Sequence, residues 1–251
     1  MRPGAMASKA SEEETGGLTG TAASLASPLV YASDAIHARR RRILRETRKL
    51  IVERGMEGFT VRALCARAEI AQRTLYNAFG NKDRLVAIAI REAYEEFNRA
   101  ARYRAGADTL AGMLERLVTV NRRNFRARNY TRAVAALYFA PATHHDVWQA
   151  LQEMTFLNLR VWLAALKASG DLLPTVELDR LGALIANVEY ATINDWAQGR
   201  IANDDYLPRL VEHVLILVIG NTTGATRDQA TALRQRLYED AVGTIAGLAE
   251  A

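Results

Sequence analysis

The 251-residue chain has a single cysteine, Cys65. That excludes an intrachain disulfide and fits a reducing compartment, the cytoplasm. Long apolar runs are missing too. The stretch Val214 to Ile219 is far short of the roughly 20 residues that a helix needs to cross a bilayer. There is no G-x-S-x-G, no P-loop and no G-x-G-x-x-G. His144, His145 and His213 match no metal-ligand spacing. Acidic and basic side chains are plentiful but nowhere grouped as catalysis demands, so neither an enzyme nor a bound metal or cofactor is expected. Strand-like alternation is also lacking, and helical periodicity runs throughout, so the fold is expected to be all-α. Residues 1–33 carry Gly, Ser, Thr, Ala and the acidic run Glu12-Glu13-Glu14, without a sustained apolar period. They are expected to be a disordered tail rather than a secretory signal, with Met6 as an alternative start.

What the chain does have is unevenly placed positive charge. The net charge is +5, yet Ala35 to Arg104 holds 17 Lys and Arg against 8 Asp and Glu, whereas Ala105 to Ala251 holds 14 against 16. Charge concentrated in one segment is the electrostatic footprint of phosphate binding.

Inside that segment lies TVRALCARAEIAQRTLYNAFGNKDRL, Thr60 to Leu85. Val61, Leu64, Cys65 and Ala68 put one apolar stripe on a short helix, which Thr60 can cap. A second helix, from about Ala71 to Ala78, turns Leu75 and Phe79 inward, with Ile70 just ahead of it, and leaves Gln72, Arg73, Tyr76 and Asn77 outside. So short a helix with so little buried surface is poor architecture but suits a helix-turn-helix, whose second helix offers exposed side chains to base edges. Asn81 caps a third helix that presents Lys82 and free backbone N–H groups to phosphate. Upstream, a helix is expected from Asp34, its cap, to Arg54. Its run Arg39 to Arg42, Arg40 and Arg41 above all, either contacts the DNA backbone or is a solvated basic turn.

From Arg40 to Phe97 the chain resembles the DNA-binding region of the TetR family of transcriptional regulators. The resemblance rests on the spacing Tyr76-x-x-Phe79-x-x-Lys82-x-x-Leu85, preceded by Thr60-Val61-Arg62 and Thr74-Leu75. It implies that Tyr76 and Lys82 hold phosphates and that Phe79 anchors the recognition helix. With geometry added, Thr60 and Asn77 join the phosphate contacts, while Gln72 and Arg73, helped by Thr74, read bases. Three positions depart from the family pattern: Glu69 replaces a turn Gly, Ala71 a Ser cap and Arg73 a frequent Gly. The expected organisation is a tail to residue 33, a DNA-binding domain over 34–97 that includes the start of a linking helix, and an effector-binding and dimerisation domain over 98–251.

Beyond Gly106 the candidate helices are 108–127, 130–140, 145–169, 177–198, 205–221 and 227–250. Two are strongly apolar and resemble the family's dimer-forming pair. Leu181, Ile185, Val188, Leu210, Val214 and Val218 are the expected dimer contacts. The resemblance also implies an effector pocket for an apolar or aromatic molecule. Its candidate lining is Met113, Leu117, Asn121, Tyr138, Trp148, Gln152, Phe156, Trp162, Asn187, Tyr190 and Asn194, any one of which reads more readily as ordinary core, helix packing or a dimer contact. Three functions stay open: a dimeric repressor released from an inverted-repeat operator by a small effector, a DNA-binding protein of the same fold without an effector, and a helical enzyme.

Overall fold

The computed structural model describes residues 27–250 except 142 and 144. The expected tail up to residue 26 lies outside the described residues. Eleven α-helices are described: α1 (Ser27–Arg54), α2 (Val61–Ala68), α3 (Gln72–Phe79), α4 (Lys82–Ala100), α5 (Leu110–Arg122), α6 (Arg128–Phe139), α7 (His145–Ser169), α8 (Leu178–Ala197), α9 (Asn203–Asn221), α10 (Gly224–Glu239) and α11 (Ala241–Glu250). A 3-10 turn, Arg123–Ala127, joins α5 to α6. Extended pairing among the described residues is limited to one bridge between Leu172 and Thr222. The chain divides into two compact units, residues 1–39 and 40–251.

Two boundaries differ from expectation. Helix α1 starts at Ser27 rather than at Asp34. The Ser27-Pro28 pair explains this, because proline in a first helical turn gives up an N–H that has no partner there anyway. The expected final helix is two helices, broken at Asp240, whose backbone is extended (φ −146°, ψ 88°). Its carboxylate accepts the Gly243 N–H at 2.8 Å, so an aspartate between helical runs acts as an N-cap.

In the head, Ile43, Leu44, Leu50 and Ile51 of α1 share a core with Phe59, Leu64, Leu75, Phe79 and Leu85. Arg67 clips α2 to α1, giving two bonds to the Glu53 carboxylate (2.5 and 2.9 Å) and a third from Nε to Glu46 (2.9 Å). Cys65 is buried, and burial pushes its thiol pKa up, as befits a packing residue.

The larger helical body packs around Trp162, Trp196 and Tyr206, with Trp196 and Tyr206 stacked at 4.7 Å. Glu115 of α5 is buried because its carboxylate accepts the N–H groups of Arg104 and Ala105, both at 2.9 Å, and so ties down the loop after α4. Gly112 allows that loop close: a Cβ there would stand 1.9 Å from the Gly106 carbonyl oxygen.

Candidate nucleic-acid interface and interior cavity

Thr60 caps α2, its hydroxyl oxygen accepting the Ala63 N–H at 3.1 Å, which leaves its own proton free to donate outward. Helix α2 ends at Glu69, in the left-handed region at φ 52°, ψ 50°. Its carboxylate lies 3.6 Å from Arg42. Ala71 is the N-cap of α3 in an extended conformation and makes no side-chain bond. The missing cap seen in the sequence is thus a real deficit in the fold.

Helix α3 buries Leu75 and Phe79, half-buries Thr74, and leaves Gln72, Arg73, Tyr76 and Asn77 exposed on the opposite side. Gly80, at φ 83°, then turns the chain into α4, where Asn81 accepts the Arg84 N–H at 2.8 Å. The Lys82 ammonium sits 5.4 Å from the Phe59 ring centre, which fixes the reach of its side chain beside the open N-terminus of α4. Arg40 lies over the Phe79 ring at 4.8 Å, and Arg41 is exposed. Every residue assigned to DNA in the sequence therefore belongs to one contiguous segment with its polar groups accessible, apart from the half-buried Thr74 and Lys82.

The expected dimer residues need correction. Leu181, Ile185, Leu210, Val214 and Val218 are fully buried within the protomer, where α8 packs on α9. Their stripes meet each other, so they are not available to a second copy. Val188 alone of the six is partly open, and the outward apolar positions of the pair are Leu184, Val188, Ile216 and Leu217.

The expected effector residues split into four groups. Met113, Leu117 and Trp162 are core, and Phe156 packs so closely on Gly182 that a Cβ there would lie 2.4 Å from its ring. Tyr138, Trp148, Gln152 and Asn187 form a separate cluster: Gln152 donates to the Tyr138 hydroxyl at 3.2 Å, Tyr138 donates to Asn187, and Trp148 stacks on Tyr138. Asn194, at the end of α8, is half-buried and lines neither this cluster nor the cavity. Only Asn121 and Tyr190 face an interior cavity of about 90 Å³, bounded by α4 to α8 and the 3-10 turn. Tyr138 touches that cavity indirectly, stacked on Tyr190 at 4.0 Å.

Apart from Asn121 and Tyr190, the cavity's polar wall escaped the sequence reading. Asn121 donates to Glu189 at 2.8 Å, Asn124 donates to Asn121 and to Tyr206 (both 2.9 Å), and Tyr206 donates to Asn121 at 2.7 Å. Burial raises the pKa of Glu189, an effect only partly offset by bonds from Asn121 and Thr155. Tyr130 also lines the cavity, and its buried hydroxyl has no hydrogen-bond partner among the described residues. A signal for Glu189 existed: it stands four residues after Ile185 and four before Ile193, on the buried side of α8.

Comparison with known proteins gives an independent line. The profile of bacterial regulatory proteins of the tetR family matches residues 43–88. The HTH-type transcriptional repressor KstR of Rhodococcus jostii (strain RHA1) is 27% identical over 191 residues, covering 76% of this chain and 87% of that protein. A TetR transcriptional regulator from Rhodococcus sp. RHA1 superposes with a TM-score of 0.56 at 19% identity, over 73% of this chain and 97% of the other. The tetR regulator tylp from Streptomyces fradiae gives 0.52 at 18%, over 82% and 99%.

Proposed function

We propose that this chain, which belongs to the TetR family of bacterial transcriptional regulators, is a dimeric repressor that leaves an inverted-repeat operator when a small effector enters its interior cavity. Family membership sets aside the reading as a helical enzyme. The observation that carries the proposal is the outer face of α3: Gln72, Arg73, Tyr76 and Asn77 are exposed and contribute nothing to the core, within the segment that concentrates positive charge.

In this reading the stretch to residue 97 is the DNA-binding head and residues 98–251 bind effector and make the dimer. Arg73 pairs with guanine and Gln72 with adenine, with Thr74 assisting. Thr60, Tyr76, Asn77, Lys82, Arg40 and Arg41 hold phosphates and set the register. A twofold dimer sets two such heads roughly 34–36 Å apart, in successive major grooves. The outward face of α8 and α9 around Leu184, Val188, Ile216 and Leu217 is the surface that joins the two copies.

The effector route follows from neighbouring residues of α6. Asn129 donates to the Val52 carbonyl of α1 at 3.2 Å, and the next residue, Tyr130, lines the cavity. A ligand that displaces Tyr130 strains the Asn129–Val52 bond and tilts the head. Operator affinity then falls by the differential binding of effector to the two states, typically about 1–3 kcal/mol.

The test is the affinity of the purified protein for DNA from upstream of its own gene, at several salt concentrations. Tight, site-specific binding with a steep salt slope is expected. Weak binding, equal for all sequences, reduces the function to DNA binding without operator recognition. A protein of the same fold with no effector is what remains if small molecules leave operator affinity unchanged.

A further inference from the structure

The cavity has a neighbour with a different chemistry. An open groove of about 480 Å³ shares two wall residues with it, Arg123 and Ala127. The groove's other walls include Arg122 and Arg126, together with Phe97 and Thr119. The three arginines follow from local structure: the end of α5 and the 3-10 turn after it bring positions 122, 123 and 126 to one side of the chain.

Their charge is uncompensated. Arg48, Arg67, Arg200 and Arg234 all lie within ion-pair distance of carboxylates. Among the described residues, Arg122, Arg123 and Arg126 have no such partner. Arg122 reaches only the Ile245 carbonyl, at 3.5 Å. Arg123 lies 5.0 Å over the Phe97 ring and reaches the Ala93 carbonyl at 3.3 Å. Arg123 thus stands in the wall between the two spaces, held by one long bond and a ring contact.

The inner space is mostly apolar and holds about three waters, or as many methylene groups. Its open polar group is the Tyr130 hydroxyl, a buried donor without an acceptor. Glu189 is already engaged by Asn121 and Thr155, and burial raises its pKa.

We propose that the effector is an amphipathic organic anion, with its anionic end bound by Arg122 and Arg126 at the groove, its chain running along the groove past Arg123, and its last few carbons entering the small cavity. Arg123 moves to admit it. This assignment rests on the reading of the cavity as an effector site and adds the class of ligand. Carboxylates, sulfonates and phosphate esters share the recognition chemistry, because guanidinium forks bind such oxyanions with two parallel hydrogen bonds.

The experiment uses three ligands with one body and different heads: octanoate, octylamine and octanol, titrated calorimetrically into the full-length protein without DNA. Octanoate is expected to bind at least about tenfold more tightly than the other two, a difference of about 1.4 kcal/mol. In the double variant Arg122→Ala/Arg126→Ala that preference is expected to vanish, with octanol binding unchanged. Arg126→Glu, an exposed single change, is expected to weaken octanoate further, and a circular-dichroism melt checks that each variant is folded. Absence of octanoate binding, equal binding of all three ligands, or octanoate binding that ignores both arginine changes overturns the assignment. Operator release is read separately. Octanoate that binds through the arginines but leaves DNA affinity unchanged preserves the ligand class and defeats the effector mechanism.

Discussion

The turn between α2 and α3 carries two deficits whose repair has a calculable effect. Glu69 sits at φ 52°, ψ 50°. A left-handed conformation costs a residue with a Cβ about 1–2 kcal/mol. Glu69→Gly removes that strain, gives back about 0.5–1 kcal/mol as extra freedom in the unfolded chain, and loses the ion pair to Arg42. That pair is 3.6 Å long, with side chains 40% and 80% exposed, and is worth about 0.5 kcal/mol at most. The net gain is small, about 0.5 kcal/mol. Ala71→Ser is the larger lever: the backbone already has cap geometry (φ −75°, ψ 147°) with no side-chain acceptor, and a serine there contributes about 1 kcal/mol. The two positions are close enough to couple, so the double variant is expected to gain about 1–1.5 kcal/mol rather than a strict sum. Urea titration followed by circular dichroism reads this as a higher midpoint at unchanged slope. Ala71→Ser without any stabilisation would refute the account of α3 as an uncapped helix. Glu69→Gly also removes a negative charge beside the DNA-facing helix, so the affinity for every DNA sequence should rise.

Four further outcomes are expected. Arg73→Ala costs about 1–3 kcal/mol on the operator and relaxes its sequence preference, measured by competition between operator and mutated sites; unchanged specific binding removes Arg73 from the base readers. Lys82→Ala weakens all sequences alike and lowers the slope of log affinity against log salt by about 1. Gly112→Ala destabilises the protein by at least about 1–3 kcal/mol in a thermal melt, because its Cβ meets the Gly106 carbonyl oxygen at 1.9 Å and one backbone segment must shift. Glu189→Gln flattens the stability–pH profile: the native carboxyl has a raised pKa, so its contribution is fully present below the ordinary glutamate pKa and is lost as pH rises through the raised one, and an amide at that position does not titrate.

The DNA head was legible because each of its parts has a local cause. A cap at Thr60, a four-position apolar stripe and a short helix with polar residues on its outer side are all written within one window of sequence. The helical body was legible in period but not in partner. Leu181, Ile185, Leu210, Val214 and Val218 read correctly as stripes, yet a stripe says only that something covers it. Here the cover is the neighbouring helix of the same chain, which leaves Leu184 and Ile216 outside. The cavity was least legible, since five helices and the 3-10 turn contribute to it and nothing local relates Tyr94, Tyr130 and Glu189. Aromatic size guided the expected lining, and one of its two tryptophans, Trp162, turned out to be needed for packing.

The distribution of satisfied and unsatisfied groups around that cavity is informative by itself. Asn121, Asn124, Thr131, Glu189 and Tyr206 bond to one another or to nearby groups, which is what a purely structural polar cluster requires in a low-dielectric interior. The Tyr130 hydroxyl is buried in the same wall without a partner. Leaving it so costs about 1–3 kcal/mol, and a phenylalanine would fill the same space without that cost. Packing alone therefore does not account for that hydroxyl. Tyr130 is also the residue next to Asn129, whose bond to Val52 ties α6 to the head. Tyr130 thus lies both in the cavity wall and next to the contact through which a ligand there would act on DNA binding.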